Sequence, residues 1–405
     1  MPDILKEVKS MPEKPSYEAL GVSHQKEDVH AALEGVDHGL FPDAFCRIIP
    51  DLAGDPTYCS IMHADGAGTK SAVAYMMYKE TGDLKYFRGI VHDSVVMNTD
   101  DVLCVGATGP FFLSNTIGRN KKRIGGEIIQ TIIHEYEQFA KHLQTLGLPL
   151  YTTGGETADV GDLVRTLIVD STLVTRMSRN DVILPVNIKP GDVIVGLTST
   201  GKATYEPDLA YNSGIGSNGL TLARHGVLHH AYFTKFPEAF GPELEERWVF
   251  FGQHALTDPL PGTPLTIGEA ILSPTRTYAP ILLPLLREHR AELHAIFHCT
   301  GGGQTKCGKF GTALHYIKDN LFPIPPFFDL IQKSSNTPWQ EMYQVFNMGH
   351  RMELLCSQSF ATDILIPLAK KFAVDARIVG HVEKAKGIRN EITIESAVGK
   401  FYYTL

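Results

Sequence analysis

Three groups of residues in the first half of the chain have the types and spacing to handle phosphate and a divalent cation. The first is Asp65-Gly66-Ala67-Gly68-Thr69-Lys70, directly after a short alternating strand, Thr57 to His63. Glycines at 66 and 68 let backbone N–H groups approach phosphate oxygens, Thr69 and Lys70 add side-chain donors, and Asp65 offers a hard oxygen to a cation. The spacing is not that of a P-loop, and an Asp-Gly turn before a helix accounts for the same string. The second group is Asp93, Asp100 and Asp101 among Val95, Val96, Met97, Val102 and Leu103. Asp93 and Asp100 share one face if the segment is helical. Acids among such neighbours need a partner, Mg²⁺ on nucleotide phosphates being one, unless Asp100 and Asp101 face solvent. The third is Gly154-Gly155-Glu156-Thr157-Ala158-Asp159, where Gly-Gly suits a tight turn aiming Glu156 into a cleft.

The second half carries four further strings. Ser217-Asn218-Gly219 precedes an apolar stretch and reads most simply as a helix N-cap. In Ser273-Pro274-Thr275-Arg276-Thr277-Tyr278, Arg276 suits bidentate phosphate binding, and a plain surface arginine fits equally. His294 and His298 lead into Gly301-Gly302-Gly303, a ready anion site if a helix follows. On a strand rising roughly 3.3 Å per residue the two histidines are too far apart for one ion, which argues against zinc. Phe346-Asn347-Met348-Gly349 is compatible with a strand-edge turn.

These groups must be positioned by alternating strands and helices. Ile128, Ile129, Ile132, Ile133, Tyr136, Phe139, Ala140 and Leu143 fall at helical spacing, predicting a helix over Arg123 to Leu146 that stops at Gly147. Strands are expected at Leu148 to Thr153, and at Leu163 to Met177, a long apolar segment expected to be edge-prone and covered by a second subunit. Residues 180–191, with Pro185, Pro190 and Gly191, lose all periodicity and divide the chain into an N-terminal unit, 1–185, and a C-terminal unit, 186–405. Pro-rich stretches at Asp258 to Pro264 and Phe322 to Phe328 read as surface insertions.

Composition narrows the class. The 405 residues are 43% hydrophobic and 20% charged, which places the chain among ordinary globular proteins. A formal net charge of -8 argues against nucleic-acid binding through a broad basic surface. Six cysteines without a Cys-x-x-Cys pair read as reduced thiols. Residues 1–15 lack the apolar core of a signal peptide, and no apolar run is long enough to span a bilayer, so the expected location is the cytoplasm.

Taken in order, the seven strings resemble those of the aminoimidazole ribonucleotide synthetase superfamily, from about Tyr17 to Glu383, and the Pro-Thr-Arg-x-Tyr, His-x-Thr-Gly-Gly-Gly and Phe-Asn-Met-Gly strings resemble its cyclo-ligase branch. The resemblance implies a mixed α/β (α+β) fold of two domains. The N-terminal sheet would form a barrel at a homodimer interface, and the C-terminal sheet would be flanked by helices. It implies ATP and Mg²⁺, a phosphorylated ribonucleotide substrate, and cyclisation of formylglycinamidine ribonucleotide to aminoimidazole ribonucleotide. Asp65, Asp101 and Glu156 would hold Mg²⁺. Gly66, Gly68, Thr69, Lys70, Gly154 and Gly155 would complete the ATP site. Gly301, Gly302 and Gly303, with Arg276, Ser217 and Asn218, would hold the substrate phosphate, and His298 and Lys70 would serve catalysis. Another ATP-dependent phosphoryl transfer and a catalytically silent nucleotide-binding dimer are the alternatives.

The chain departs from the family pattern in several places. Glu18 replaces a lysine, Asp100 replaces the asparagine of the Asn-Asp pair, and Gly216 replaces the histidine before Ser-Asn-Gly. Lys202 to Ile215 reads as inserted, Gln304-Thr305-Lys306-Cys307 replaces Phe-Thr-Glu-Asn, and His350-Arg351 replaces small apolar residues.

Overall fold

The computed structural model describes Tyr17, residues 20–22, Ala32, and residues 35–206 and 211–405; Glu18 lies outside them. Two sheets organise the chain. The first has the order β1-β2-β5-β3-β4, with β1 at Ile49–Pro50, β2 at Tyr58–Gly66, β3 at Phe111–Arg119, β4 at Leu150–Asp159 and β5 at Leu167–Ser178. All its pairings are antiparallel except β3 with β4. Alternation puts Cys59, Ile61, Phe111, Leu113, Ile117, Val169 and Leu173 on the buried face.

Three helices serve this sheet: α1 (Lys70–Thr81), α2 (Tyr86–Cys104) and α3 (Gly126–Thr145). The apolar stripe read from the sequence is the buried stripe of α3, with Ile128, Ile132, Tyr136, Phe139 and Leu143 inside. Gly147 beyond it has φ +87°, the left-handed conformation that a side chain would resist. Helix α2 lies between the first sheet and the C-terminal half, and every residue from Ile90 to Cys104 is buried. It therefore has no solvent face, and Asp93, Asp100 and Asp101 are all interior.

The second sheet has the order β12-β11-β8-β10-β6-β9-β7. Its strands are β6 (Val193–Thr198), β7 (Ala295–His298), β8 (Leu314–Lys318), β9 (His350–Cys356), β10 (Ala376–Lys384), β11 (Glu391–Ser396) and β12 (Gly399–Thr404). Helices α4 (Leu220–Val227), α5 (Ala279–Glu288) and α6 (Pro326–Ser335) flank it. A buried triad fastens its centre: Lys318 Nζ donates to Glu353 Oε1, and His350 Nε2 lies 2.9 Å from the same oxygen.

Four expectations are corrected. Strand β4 does not stop before Gly154: it runs through Glu156 to Asp159, paired with β3, and a side chain at 155 would collide with Asn115. Strand β5 is interior, hydrogen-bonded to β2 and β3 on its two sides, so what it leaves uncovered is a face and not an edge. The Phe322 to Phe328 stretch is no surface insertion, because Phe327 and Phe328 are fully buried and Pro326 opens α6. The helix expected after the three glycines is a short 3-10 helix, Gly303–Lys309, and not a long element.

Candidate active site

The site begins at the end of β2. Period-two alternation puts His63 and Asp65 on the same side of that strand. Asp65 Oδ1 accepts the Gly66 N–H at 2.7 Å, and Gly66 faces Asp170 of β5 so closely that no Cβ would fit. Gly68 has φ +56° with open space beside it, and Thr69 caps α1 without a side-chain hydrogen bond. The first-turn N–H groups of α1 thus lie beside the carboxylates, an arrangement suited to an anion that brings its own cation.

Burial, followed by repulsion from Asp101, pushes the Asp65 carboxyl up; burial, then Asp65, does the same to Asp170. Burial alone would raise Asp101 too, but its hydrogen bonds to His298 and His63 outweigh it and hold that carboxylate ionised. Crowded carboxyls that repel one another fit a divalent cation. Among the described residues no group of three or more His, Cys, Asp or Glu side chains could hold a metal ion unaided, so phosphate oxygens would have to complete the shell.

Asp101 joins the halves of the molecule. Its Oδ1 lies 2.7 Å from Nδ1 of His298 at the end of β7, and its Oδ2 lies 3.4 Å from Nε2 of His63. Asn98 supports His63 through Oδ1 at 2.9 Å and donates to the Asp65 carbonyl at 3.2 Å. His298 Nε2 is buried without a partner among the described residues. An imidazole oriented by a carboxylate through one nitrogen, with the other unoccupied, is arranged as a proton acceptor. His63 and Asn98 were not singled out from the sequence; the signal available for His63 was its place two residues before Asp65.

Several expected site residues are elsewhere or already engaged. Glu156 is exposed on edge strand β4, in the row Gly66–Asp170–Thr116–Glu156 that crosses four strands, roughly 14 Å from Gly66 at about 4.8 Å per strand. Lys70 is fully buried, its Nζ donating to Asp93 Oδ1 and to the Ser273 carbonyl, both at 2.8 Å. Arg276 is saturated: Nε and Nη2 donate to Glu206, and Nη1 and Nη2 to the carbonyls of Thr198, Thr200 and Gly201. Arg276 thus braces the 198–206 segment within the C-terminal half, whereas Lys70 joins Asp93 of the N-terminal half to the Ser273 carbonyl of the other. Asp93 and Asp100 also bridge the halves: Asp93 Oδ1 accepts from Thr275 N and Oγ1, its Oδ2 finding no partner among the described residues, and Asp100 accepts from Thr277 Oγ1 and Tyr278 N.

In the C-terminal half three segments meet. Gly301, Gly302 and Gly303 have φ of +55°, +133° and +51°, and Gly303 has no room for a Cβ against the carbonyls of Tyr343 and Phe346. Gln304 donates to the Asn347 and His350 carbonyls, and Asn347 donates to the Gly214 carbonyl at 2.8 Å. Ser217 and Asn218 are half-buried in the loop so anchored, and the left-handed cap of α4 is Gly219, not either of them. A separate cavity of about 580 Å³ lies between α2, α3 and the C-terminal half, walled by His92, Phe139, Tyr205, Tyr211 and Thr275. Its lining includes Thr275, Arg276 and Thr277 but neither Asp101 nor His298.

The six cysteines are free thiols, and no described helix is long and apolar enough to cross a membrane. Two mixed sheets locked through a buried helix, with carboxylates at the seam, define a two-domain α/β protein. The chain belongs to the AIR synthase related protein family: residues 44–177 match its N-terminal domain and residues 189–392 its C-terminal domain. It is 28% identical over 344 residues to the phosphoribosylformylglycinamidine cyclo-ligase of Methanocaldococcus jannaschii, covering 85% of this chain and 84% of that one. With the cyclo-ligase of Enterococcus faecalis it shares 30% identity over 331 residues, 79% of this chain and 80% of that one. The fold is also that of Thermotoga maritima PurL complexed with FGAR (TM-score 0.52, 15% identity, 96% of this chain), of which it spans about half, 52%. A chain of a HypE–HypF complex gives a TM-score of 0.54 at 13% identity, over 94% of this chain and 99% of that one.

Proposed function

We propose that this protein is an ATP-dependent cyclo-ligase that closes formylglycinamidine ribonucleotide to aminoimidazole ribonucleotide. The observation that carries the reading is the Asp101–His298 contact, which sets a phosphate-and-cation site of the N-terminal half against a glycine-lined site of the C-terminal half, in a chain whose curated relatives bear the cyclo-ligase name over most of their length.

Asp65 and Asp101, with Asp170 beside them, would hold Mg²⁺, which neutralises charge on the nucleotide phosphates. Gly66, Gly68, Thr69 and the first turn of α1 would cradle those phosphates. The exposed position of Glu156 favours only a role away from this cation. The formyl amide oxygen of the substrate attacks the γ-phosphorus and ADP departs. The amidine nitrogen then attacks the activated carbon, the C–O bond breaks and phosphate leaves. His298 Nε2 takes the proton that the attacking nitrogen sheds, and Asp101 stabilises the resulting imidazolium. Lys70 acts as an interdomain clamp in this reading, and the Gly301–Gly303 turn, with Ser217 and Asn218, contacts the substrate.

The protein would act as a homodimer in the cytoplasm. The uncovered face of the first sheet carries a lateral row, Met62–Val174–Phe112–Tyr151, in which Met62 is 63% and Phe112 and Tyr151 are each 48% exposed. A contiguous apolar row of this kind favours a second copy as its cover, closing a barrel. The test of function is ADP release from the full-length protein with Mg²⁺, ATP and formylglycinamidine ribonucleotide. Release only with a different amide or phosphate ester would make it another phosphoryl-transfer enzyme of the family, and release with none would make it a silent binder.

A further inference from the structure

Three departures from the family pattern, separate in sequence, are one feature in space. Arg351 stands where small apolar residues are usual, Gly216 where a histidine is usual, and Asp100 where an asparagine is usual. Arg351 is 1% exposed. Its Nη2 donates to the Arg276 carbonyl at 2.7 Å, and its Cζ lies 5.8 Å from the Tyr278 ring centre. Its Nε and Nη1 are buried and find no acceptor among the described residues. The missing side chain at Gly216 is what admits it, since a Cβ there would stand 3.1 Å from Nη1 and 3.5 Å from Cδ. The extra negative charge, Asp100, lies within electrostatic range but does not take up the spare donors, its oxygens being engaged by Thr277 and Tyr278.

A guanidinium sealed from water with two donors unmet by the described residues is unfavourable, because burial removes the water that would otherwise satisfy them. Retaining it makes sense where a ligand supplies the acceptors. The surroundings indicate which kind. Arg351 is the second residue of β9, which follows the Phe346–Gly349 string, and its carbonyl accepts from Cys299 N beside the Gly301–Gly303 turn. Gly216, with φ of +69°, packs against it, next to half-buried Ser217 and Asn218. Arg276, the arginine that the sequence offers for phosphate, has all its donors occupied.

We propose that Arg351 is a binding residue for a phosphoryl oxyanion, taken bidentately on Nε and Nη1 beside the Ser217–Asn218 loop. This deepens the cyclo-ligase reading and rests on it only for the identity of the phosphate: the 5′-phosphate of the substrate or the orthophosphate that departs. The planar fork of arginine matches two phosphate oxygens, which a lysine at the same place would not.

The test compares the full-length wild type with Arg351→Met and Arg351→Lys, using ribose 5-phosphate, orthophosphate and Mg-ADP as probes in calorimetric and thermal-shift titrations. Arg351→Met is expected to weaken the phosphate probe at least tenfold, to leave Mg-ADP unchanged, and to melt without ligand at the wild-type temperature or above it. Loss confined to ribose 5-phosphate assigns the 5′-phosphate; loss of orthophosphate assigns the departing group. No phosphate binding by the wild type, unchanged affinity in Arg351→Met, or a lower melting temperature with unchanged affinity overturns the proposal. Should Arg351→Met fail to fold, Arg351→Lys decides: it keeps the charge and should still lose most of the affinity, and wild-type affinity would overturn the site. Arg351-dependent phosphate binding without cyclisation would sink the cyclo-ligase reading alone; cyclisation with phosphate affinity indifferent to Arg351 would sink this proposal alone.

Discussion

Nδ1 of His298 lies 2.7 Å from Oδ1 of Asp101, and the two residues come from opposite halves of the chain. The contact spans 197 positions of sequence and puts the second imidazole nitrogen where no other group of the described residues meets it. If His298 accepts the proton in ring closure, His298→Gln should lower kcat roughly 10²–10⁴-fold, the usual contribution of a positioned base. ATP affinity should stay unchanged. A steady-state assay with separate titration of ATP checks this, and a variant of near-normal kcat would remove His298 from the chemistry.

Asp101→Asn should behave differently. It removes a charged oxygen from the proposed Mg²⁺ shell and the anchor of both His298 and His63. ADP production should be abolished at ordinary Mg²⁺ while circular dichroism stays native. Near-normal ADP production would show that the cation is held elsewhere.

Lys70 offers a choice between two roles that respond oppositely. As a clamp it satisfies Asp93 within a fully buried pair, so Lys70→Met should destabilise the empty protein by about 3–5 kcal/mol, as breaking a buried ion pair does. Denaturant unfolding without nucleotide measures it. Wild-type stability with a raised KM for ATP would return Lys70 to the phosphates.

Acid stability should depend on the Glu353 triad. Burial alone would raise the Glu353 carboxyl, but Lys318 and His350 outweigh it and bring it from 4.5 down to about 2. A depressed folded value means that the unfolded chain binds the proton more readily, so this stability is present above about pH 4.5 and is lost as pH falls toward 2. His350, lowered by burial, acts in the same direction because it too is protonated more readily when unfolded. Glu353→Gln should flatten the fall in melting temperature between pH 5 and 3, by roughly the depressed-carboxylate share of the slope, while lowering stability at pH 7 because Lys318 loses its counter-charge. An unchanged acid slope in that variant would show that the triad does not govern it.

The apolar row on the first sheet should respond to charge. Phe112→Asp should convert a dimer into a monomer at micromolar concentration with little change in helix and strand content, because Phe112 is 48% exposed in the single chain. Light scattering reads the mass directly. A wild-type protein that is already monomeric would contradict the dimer.

What the sequence determined by itself was whatever depends on neighbours along the chain. The stripe of α3 and its stop at Gly147 and the strand before Asp65 follow from periodicity and turn chemistry, which are local. The glycine turn at 301–303 was legible for the same reason: all three residues adopt φ angles that other residues resist. Which partner each charged side chain meets was decided only by tertiary structure. Lys70 and Arg276 looked like phosphate donors, and Asp93 and Asp100 like cation ligands, yet the fold makes them one another's answer: Asp93 takes Lys70 and Thr275, Asp100 takes Thr277 and Tyr278, and Arg276 takes Glu206. A buried charge must be satisfied by something, and a motif shows that requirement without showing what meets it. Burial of α2 from Ile90 to Cys104 between two sheets far apart in sequence sets Asp101 against His298, and the same tertiary packing sets Gly216 against Arg351, two of whose donors find no acceptor among the described residues.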